Sequence, residues 1–385
     1  MPSIFKTLYN GRKSLAKLVK AKVTGRRIPV RVCLLVTKYC NLTCFFCYAE
    51  DILNSKAVQE YSLDNIKNIV DQLYKAECRQ ITIVGGEPLI RDDIGEIIDY
   101  IHNKGIFVEM TTNGYFIKKR IEALKKVDHL CISLDGNKKS NDKSRGEGSF
   151  EKIIEGIKCA TENGIAVRVH ATLSKITNNE ESLKFLVEFC KRMDVKLNIS
   201  EISLPGIEQK DAKYLLSKEE SRNFYKVYRG FKKSGYPIAS SYLAMDYVER
   251  WPLGDETTLY KKDLDKVSKD NYFPCTFGRT QAFVSADGNV YPCTKKWGDG
   301  KNMLEVGFDK AWEYFDELDC VACKELGCIE QSAITNLAFR SLFNTLKNFA
   351  LMTADILTDL INNKKDVLLA RNFTNNIDDV TNPVV

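Results

Sequence analysis

Val30-Arg31-Val32-Cys33-Leu34-Leu35-Val36-Thr37-Lys38-Tyr39-Cys40-Asn41-Leu42-Thr43-Cys44-Phe45-Phe46-Cys47 is the stretch on which the reading of this chain turns. Its first seven residues are mostly β-branched or apolar, the mark of a buried strand. A loop follows at once, with three cysteines inside eight residues. Three thiolates so close can grip three irons of a cubane cluster, or form a zinc knuckle, or be buried structural cysteines. With no fourth cysteine nearby, a cubane would keep one iron open, as substrate binding at a metal requires.

The chain around this stretch repeats its rhythm. Strand-like runs recur at 80–84, 107–111, 129–134, 166–173 and 195–202, with helical patterns at 62–77, 91–104, 117–126, 149–163 and 179–193 between them. Six such βα repeats predict an α/β fold, a parallel sheet curling into a partial (β/α)6 barrel over about residues 31–240. In Leu130-Cys131-Ile132-Ser133-Leu134-Asp135 the apolar residues share one strand face, and Cys131, Ser133 and Asp135 share the other. Residues 166–172 repeat the pattern and set Arg168, His170 and Thr172 together. A parallel strand is covered on both faces, so these polar residues are expected in the lumen.

Composition narrows the chemistry. The 385 residues include 13 cysteines but only three histidines, which argues against histidine-rich zinc hydrolase chemistry. No apolar run is long enough to span a bilayer and no secretory pattern opens the chain, so a cytoplasmic protein with reduced thiols is expected. Clustered cysteines are then metal ligands before they are disulfides. Cys33, Cys78, Cys159 and Cys190 sit in apolar segments and read as small core residues. No nucleic-acid partner is expected.

The loop spacing C-x3-C-x2-C, with aromatic Phe46 before the third cysteine, resembles the signature of the radical S-adenosylmethionine (SAM) superfamily. The resemblance implies a 4Fe-4S cluster on Cys40, Cys44 and Cys47 whose open iron binds SAM. It implies reductive cleavage of SAM to methionine and a 5′-deoxyadenosyl radical that attacks a substrate, with the protein supplying position and electronics. An electron donor such as flavodoxin or ferredoxin would be needed. Gly85-Gly86-Glu87-Pro88, after the second strand, resembles the family segment that holds the methionine amino group. Ser133 and Arg145 match the serine and arginine that bind the SAM carboxylate in members with auxiliary clusters. Asn113 and His170 are further candidate cofactor contacts; Asn113 also reads as a turn asparagine.

A second cysteine group comes later. Cys275 and Cys293 flank a predicted hairpin, 281–284 and 289–291, turned at Asp287-Gly288, and Cys320, Cys323 and Cys328 follow. Such spacing suits a zinc ribbon or a second iron–sulfur cluster. The phrase Asp287-Gly288-Asn289-Val290-Tyr291-Pro292-Cys293 resembles SPASM and twitch extensions of radical SAM enzymes. A full SPASM extension has seven cysteines and this region has five, so one auxiliary 4Fe-4S cluster is expected. Its ligands would be Cys275, Cys293, Cys320 and Cys323, with Cys328 spare or alternative. This cysteine-rich C-terminal extension is placed at 241–330.

The ends differ from the barrel. Residues 1–49 hold ten Lys/Arg and no acid, and 1–30 reads as a basic amphipathic helix that could meet an anionic membrane, an acidic partner or the barrel itself. Residues 331–385 read as a helical tail with a broad apolar face. The expected substrate is foremost a peptide to be oxidised, cross-linked or otherwise modified. A lipid, sugar or other small molecule is the alternative, and an iron–sulfur or zinc scaffold the non-enzymatic one.

Overall fold

In β1 (Arg31–Leu35), Val32 and Leu34 are fully buried on the helix-covered face while Arg31 and Cys33 point the other way. The computed structural model describes residues 13–21, 24–50, 60–202, 212–254, 256–296, 300–313 and 318–336. A helix, α1, covers residues 13–21. The repeat then runs α2 (Leu63–Lys75), β2 (Gln80–Val84), α3 (Ile94–Asn103), β3 (Phe107–Thr112), α4 (Ile117–Leu124), β4 (His129–Ser133), α5 (Lys138–Arg145) and α6 (Ser149–Glu162). It closes with β5 (Val167–Leu173), α7 (Glu180–Arg192) and β6 (Lys196–Glu201).

Local chemistry explains these elements. Ser62 and Asn65 form a reciprocal capping box at the start of α2, and Ile66, Ile69, Val70 and Leu73 make its buried stripe. Each such side chain contributes about 1.5–3 kcal/mol on burial. β5 alternates strictly: Val167, Val169, Ala171 and Leu173 are buried in the core, while Arg168, His170 and Thr172 line the lumen. β1 to β6 pair in parallel and in sequence, giving the expected partial barrel.

The later chain holds α8 (Lys218–Lys233), α9 (Tyr242–Glu249), β7 (Thr258–Tyr260), β8 (Gln281–Val284), β9 (Asn289–Tyr291) and β10 (Lys301–Asn302). Two short helices, α10 (Met303–Val306) and α11 (Phe308–Glu313), then β11 (Cys320–Cys323) and α12 (Leu326–Asn336) complete it. The hairpin strands fall at the predicted residues, but they are not set apart from the barrel. β8 pairs in parallel with β1, so among the described residues one sheet runs β10-β9-β8-β1-β2-β3-β4-β5-β6. The hairpin turn needs glycine: Gly288 has φ +81°, and a Cβ there would overlap the Tyr61 hydroxyl. β7 and β11 form a separate antiparallel pair.

Two helices, α8 and α9, follow the last barrel strand. Ser217 and Glu220 cap α8, whose Phe224, Tyr225 and Tyr228 are buried. At the N-terminus, Lys17 and Lys20 (2.8 Å) bond Glu77, and Arg26 lies 3.8 Å from it. That part of the basic segment therefore rests on the barrel, leaving Leu15 and Val19 exposed. The predicted helix over 1–12 and the tail from 337 onward lie outside the described residues.

Candidate functional site

The cysteine loop leaves β1 at its end and is fastened by the next two strand ends. Gly86 N donates to Thr37 O at 2.9 Å and Glu87 N to Tyr39 O at 2.8 Å. A Cβ on Gly85 would stand 2.8 Å from Thr37 O, so glycine here serves the approach of one loop to another. Asn113 does both things its sequence context allows. Its Oδ1 accepts from Tyr115 N at 3.0 Å as a turn asparagine, and its Nδ2 donates to Asn41 Oδ1, inside the cysteine loop, at 2.8 Å.

Glu87 ties this region from behind. It has no exposed surface and accepts from Thr112 Oγ1 (2.7 Å), Asn113 N (2.7 Å) and Leu89 N (3.1 Å). Burial pushes its carboxyl up to about 7, against those donors. Glu87 and Pro88 do not line the cavity. Both stand behind the cavity wall: three donors converge on the Glu87 carboxylate, and buried Pro88 opens a 3-10 turn.

All other predicted contacts of the first site open on one cavity of about 520 Å³. Cys40, Cys44, Cys47, Phe46, Gly85, Gly86, Asn113, Ser133, Arg145 and His170 line it. Arg145 comes from the last turn of α5, a helix whose sequence, Lys-Lys-Ser-Asn-Asp-Lys-Ser-Arg, has no apolar residue to announce it. Its Nε lies 2.8 Å and its Nη2 3.0 Å from the oxygens of fully buried Asp135. Nη1 faces Cys44 Sγ at 4.0 Å, and the guanidinium lies over the Phe46 ring, 5.3 Å from its centre. Burial raises the pKa of all three thiols, Cys47 to about 12, while Arg145 acts the other way on Cys44. Binding a metal there therefore releases protons.

A smaller cavity, about 110 Å³, is lined by Cys275, Cys293, Cys320, Cys323 and Cys328 together. Cys275 N donates to Val321 O at 2.7 Å, joining the segment before the hairpin to β11. Cys328 stands within the group: its hydrogen bond to Cys323 lowers the Cys323 pKa and raises its own. Burial pushes Cys293 up to about 11. Among the described residues no three Cys, His, Asp or Glu side chains close on a single-ion site; the thiols surround a space. Thr294 and Glu325 line both cavities and form the partition between them.

Several lumen residues escaped the sequence reading. Arg31, Thr82, Asn198, Ser200 and Ser240 also line the larger cavity, and Glu109 lies behind it. A lone glutamate inside the apolar strand Phe107-Val-Glu-Met was the available signal for Glu109.

This combination defines a class: a parallel partial barrel with a three-cysteine loop at the end of its first strand, opening on the lumen. Residues 34–190 match the family model "Radical SAM superfamily". That match takes in the three-cysteine loop, Gly85–Gly86 and strands β2 to β5 of the parallel barrel.

A probable GTP 3′,8-cyclase of Methanococcus maripaludis is 34% identical over 173 residues, which is 44% of this chain and 57% of that protein. The AdoMet-dependent heme synthase of Nitratidesulfovibrio vulgaris is 27% identical over 289 residues, 72% of this chain and 77% of that one. The chain thus spans well under two thirds of the cyclase. In structure it is similar to Streptococcus suis SuiB bound to SAM, with TM-score 0.58 and 22% identity over 82% of this chain and 70% of SuiB, a likeness of fold. Among the described residues no helix is long and apolar enough to cross a membrane.

Proposed function

We propose that Cys40, Cys44 and Cys47 hold the 4Fe-4S cluster, and that the chain cleaves SAM reductively to modify a second molecule in the same cavity. The observation behind this is the convergence of three thiols, the Gly85–Gly86 backbone, Ser133 and Arg145 on one cavity. When bound, the cluster and SAM supply the electron transfer and the carbon-centred radical. The chain's own residues orient them. Arg145, fixed by Asp135, presents its Nη1 edge to a carboxylate beside Cys44, and Ser133 offers a hydroxyl from the neighbouring strand. Gly85 and Gly86 leave the backbone bare toward an ammonium. Glu87, behind that backbone, positions these loops.

The five-cysteine cavity is proposed as the auxiliary 4Fe-4S site, since four or five thiols around one space suit a closed cluster. Its shared partition with the larger cavity supports a role in accepting an electron from the substrate. A peptide is the first substrate class to test. A small organic molecule is the second reading, supported by the names of the sequence relatives, a GTP cyclase and a heme synthase. Peripheral contact with an anionic membrane would fall to exposed Leu15 and Val19 and to the residues before them.

Anaerobic reconstitution followed by reduction with SAM tests the reading. The expected products are 5′-deoxyadenosine and methionine, formed slowly without substrate. An intact, reducible cluster that yields neither would reject it.

A further inference from the structure

The end of the cavity built from the strand starts holds a charged centre that the cysteine chemistry does not use. Glu109, in β3, is only 4% exposed. Arg31 Nη2 reaches one of its oxygens at 2.9 Å and Arg168 Nη2 the other at 2.8 Å. Gln80 Nε2 and Thr82 Oγ1 donate at 3.1 and 3.2 Å, and His129 Nδ1 lies 3.4 Å away. Burial opposes the Glu109 charge, but Arg31, His129 and Arg168 hold its carboxyl far below the usual range.

Two guanidinium groups therefore share one carboxylate, and both line the cavity. Each carries five N–H donors. Arg31 spends its Nε on Thr82 Oγ1 at 3.3 Å, whereas the Arg168 guanidinium lies against the Cys131 thiol and its buried Nε bonds no nitrogen or oxygen among the described residues. Arg145, the other arginine lining the cavity, is already matched by Asp135. The surplus positive charge of the lumen thus lies at Arg31 and Arg168.

A neutral donor wall rises from this centre. On adjacent strands His170 pairs with Asn198, and Thr172 with Ser200. Ser240 Oγ donates to Asn198 Oδ1 at 2.6 Å, and Asn198 Nδ2 lies 3.4 Å from His170 Nδ1. Burial first, then Arg168 and Arg145, push His170 down to about 3, so the ring is neutral and adds no second cation. With Nδ1 accepting from the amide, Nε2–H donates to Ser200 Oγ at 3.2 Å, which leaves the serine hydroxyl hydrogen for the cavity. The cavity's carboxylates, Glu201, Glu325 and Glu330, belong to the end of β6 and to the start of α12 and the residue before it.

We infer that Arg31, Arg168 and the β5–β6 donor wall form an oxyanion subsite, which takes a carboxylate or phosphate group of the substrate. The inference rests on the radical SAM reading of this cavity. A neutral lipid or sugar would leave two half-used guanidinium groups facing an apolar or uncharged ligand, at the cost of their desolvation. An oxyanion would meet paired N–H donors instead.

The test uses reconstituted enzyme saturated with SAM, so that Arg145 is occupied. Sodium pyrophosphate and sodium glutarate are titrated calorimetrically at low and high ionic strength. One of them should bind saturably and more weakly in salt; pyrophosphate would mark a phosphate site and glutarate a carboxylate site. Arg31→Gln should weaken that binding about tenfold or more. The double variant Arg168→Gln/Glu109→Gln, which removes one cation and one anion together and so leaves the net charge of the buried centre unchanged, should do the same. Absence of binding by either anion, or equal binding in wild type and variants, overturns the subsite. Formation of 5′-deoxyadenosine by the wild type is followed in parallel. Its loss overturns the reading of the cavity, whereas its presence with unchanged anion affinities in the variants overturns the subsite alone.

Discussion

The two cysteine sites of this chain are built in opposite ways. Cys40, Cys44 and Cys47 come from one loop, and their neighbours exist to hold it: the Gly86 and Glu87 amides, the Asn113 amide and the buried Glu87 carboxylate all converge there. Cys275, Cys293, Cys320, Cys323 and Cys328 come from the two segments flanking a hairpin, from a strand and from a helix start, gathered by the β7–β11 pair and the Cys275–Val321 bond. The first site opens on about 520 Å³ and the second encloses about 110 Å³. A short loop in a large cavity leaves room for a reacting ligand. A long-range gathering of thiols in a small one leaves little beyond the cluster itself.

The largest effects should separate the sites cleanly. Changing Cys275, Cys293 or Cys323 singly to Ser should lower bound iron from about eight to about four per chain, with the remaining cluster still able to cleave SAM. Retention of all the iron, or replacement of the missing iron by one zinc ion, would break the comparison. Next comes Asp135→Ala, which leaves Arg145 buried without its partner. It should cost about 3–5 kcal/mol in denaturant titrations and abolish SAM binding while the second cluster still assembles. A cost under about 1 kcal/mol would mean that the pair is not buried as described.

Gly85→Ala should be milder. Its new Cβ would press on Thr37 O from 2.8 Å, costing about 1–3 kcal/mol and reducing iron at the first site only. Equal loss at both sites would show that the cysteine loop is not held locally.

How much of this was legible follows the same contrast. The first site could be read because its ligands, and the glycines that brace it, lie in short contiguous runs after strands of clear rhythm. β2 and both hairpin strands fall on the residues that the apolar alternation marks. What was not legible depends on tertiary contact. Glu87 reads as a ligand because nothing in its neighbourhood announces that Thr112 and Asn113 will claim its oxygens. α5 was invisible because its eight residues are polar throughout, yet it delivers Arg145. α8 did carry a signal in the sequence, Ser217 and Glu220 at capping-box spacing. The joining of β8 to β1 is long-range pairing that no local pattern carries.

The smallest effect concerns the basic N-terminal segment. Hydrogen bonds from Lys17, then Lys20, hold the Glu77 carboxyl at about 2. A carboxyl depressed in the folded state stabilises above its unfolded pKa of about 4.3, and the contribution is lost as pH falls through about 4 to 2. The site is close to solvent, so screening limits the value to about 1 kcal/mol or less. Glu77→Gln should therefore lower stability slightly at pH 7 and not at pH 2, in matched thermal melts. A difference independent of pH would contradict the ion pair.

The central claim is that the open three-cysteine site, and not the enclosed one, performs the chemistry. The most direct measurement is 5′-deoxyadenosine formation from SAM by reduced, reconstituted wild type beside the triple variant Cys40→Ala/Cys44→Ala/Cys47→Ala. The account predicts 5′-deoxyadenosine from the wild type and none above background from the triple variant, which still holds about four irons at the second site. Equal 5′-deoxyadenosine from both, or none from a wild type whose clusters are intact and reducible, would contradict it.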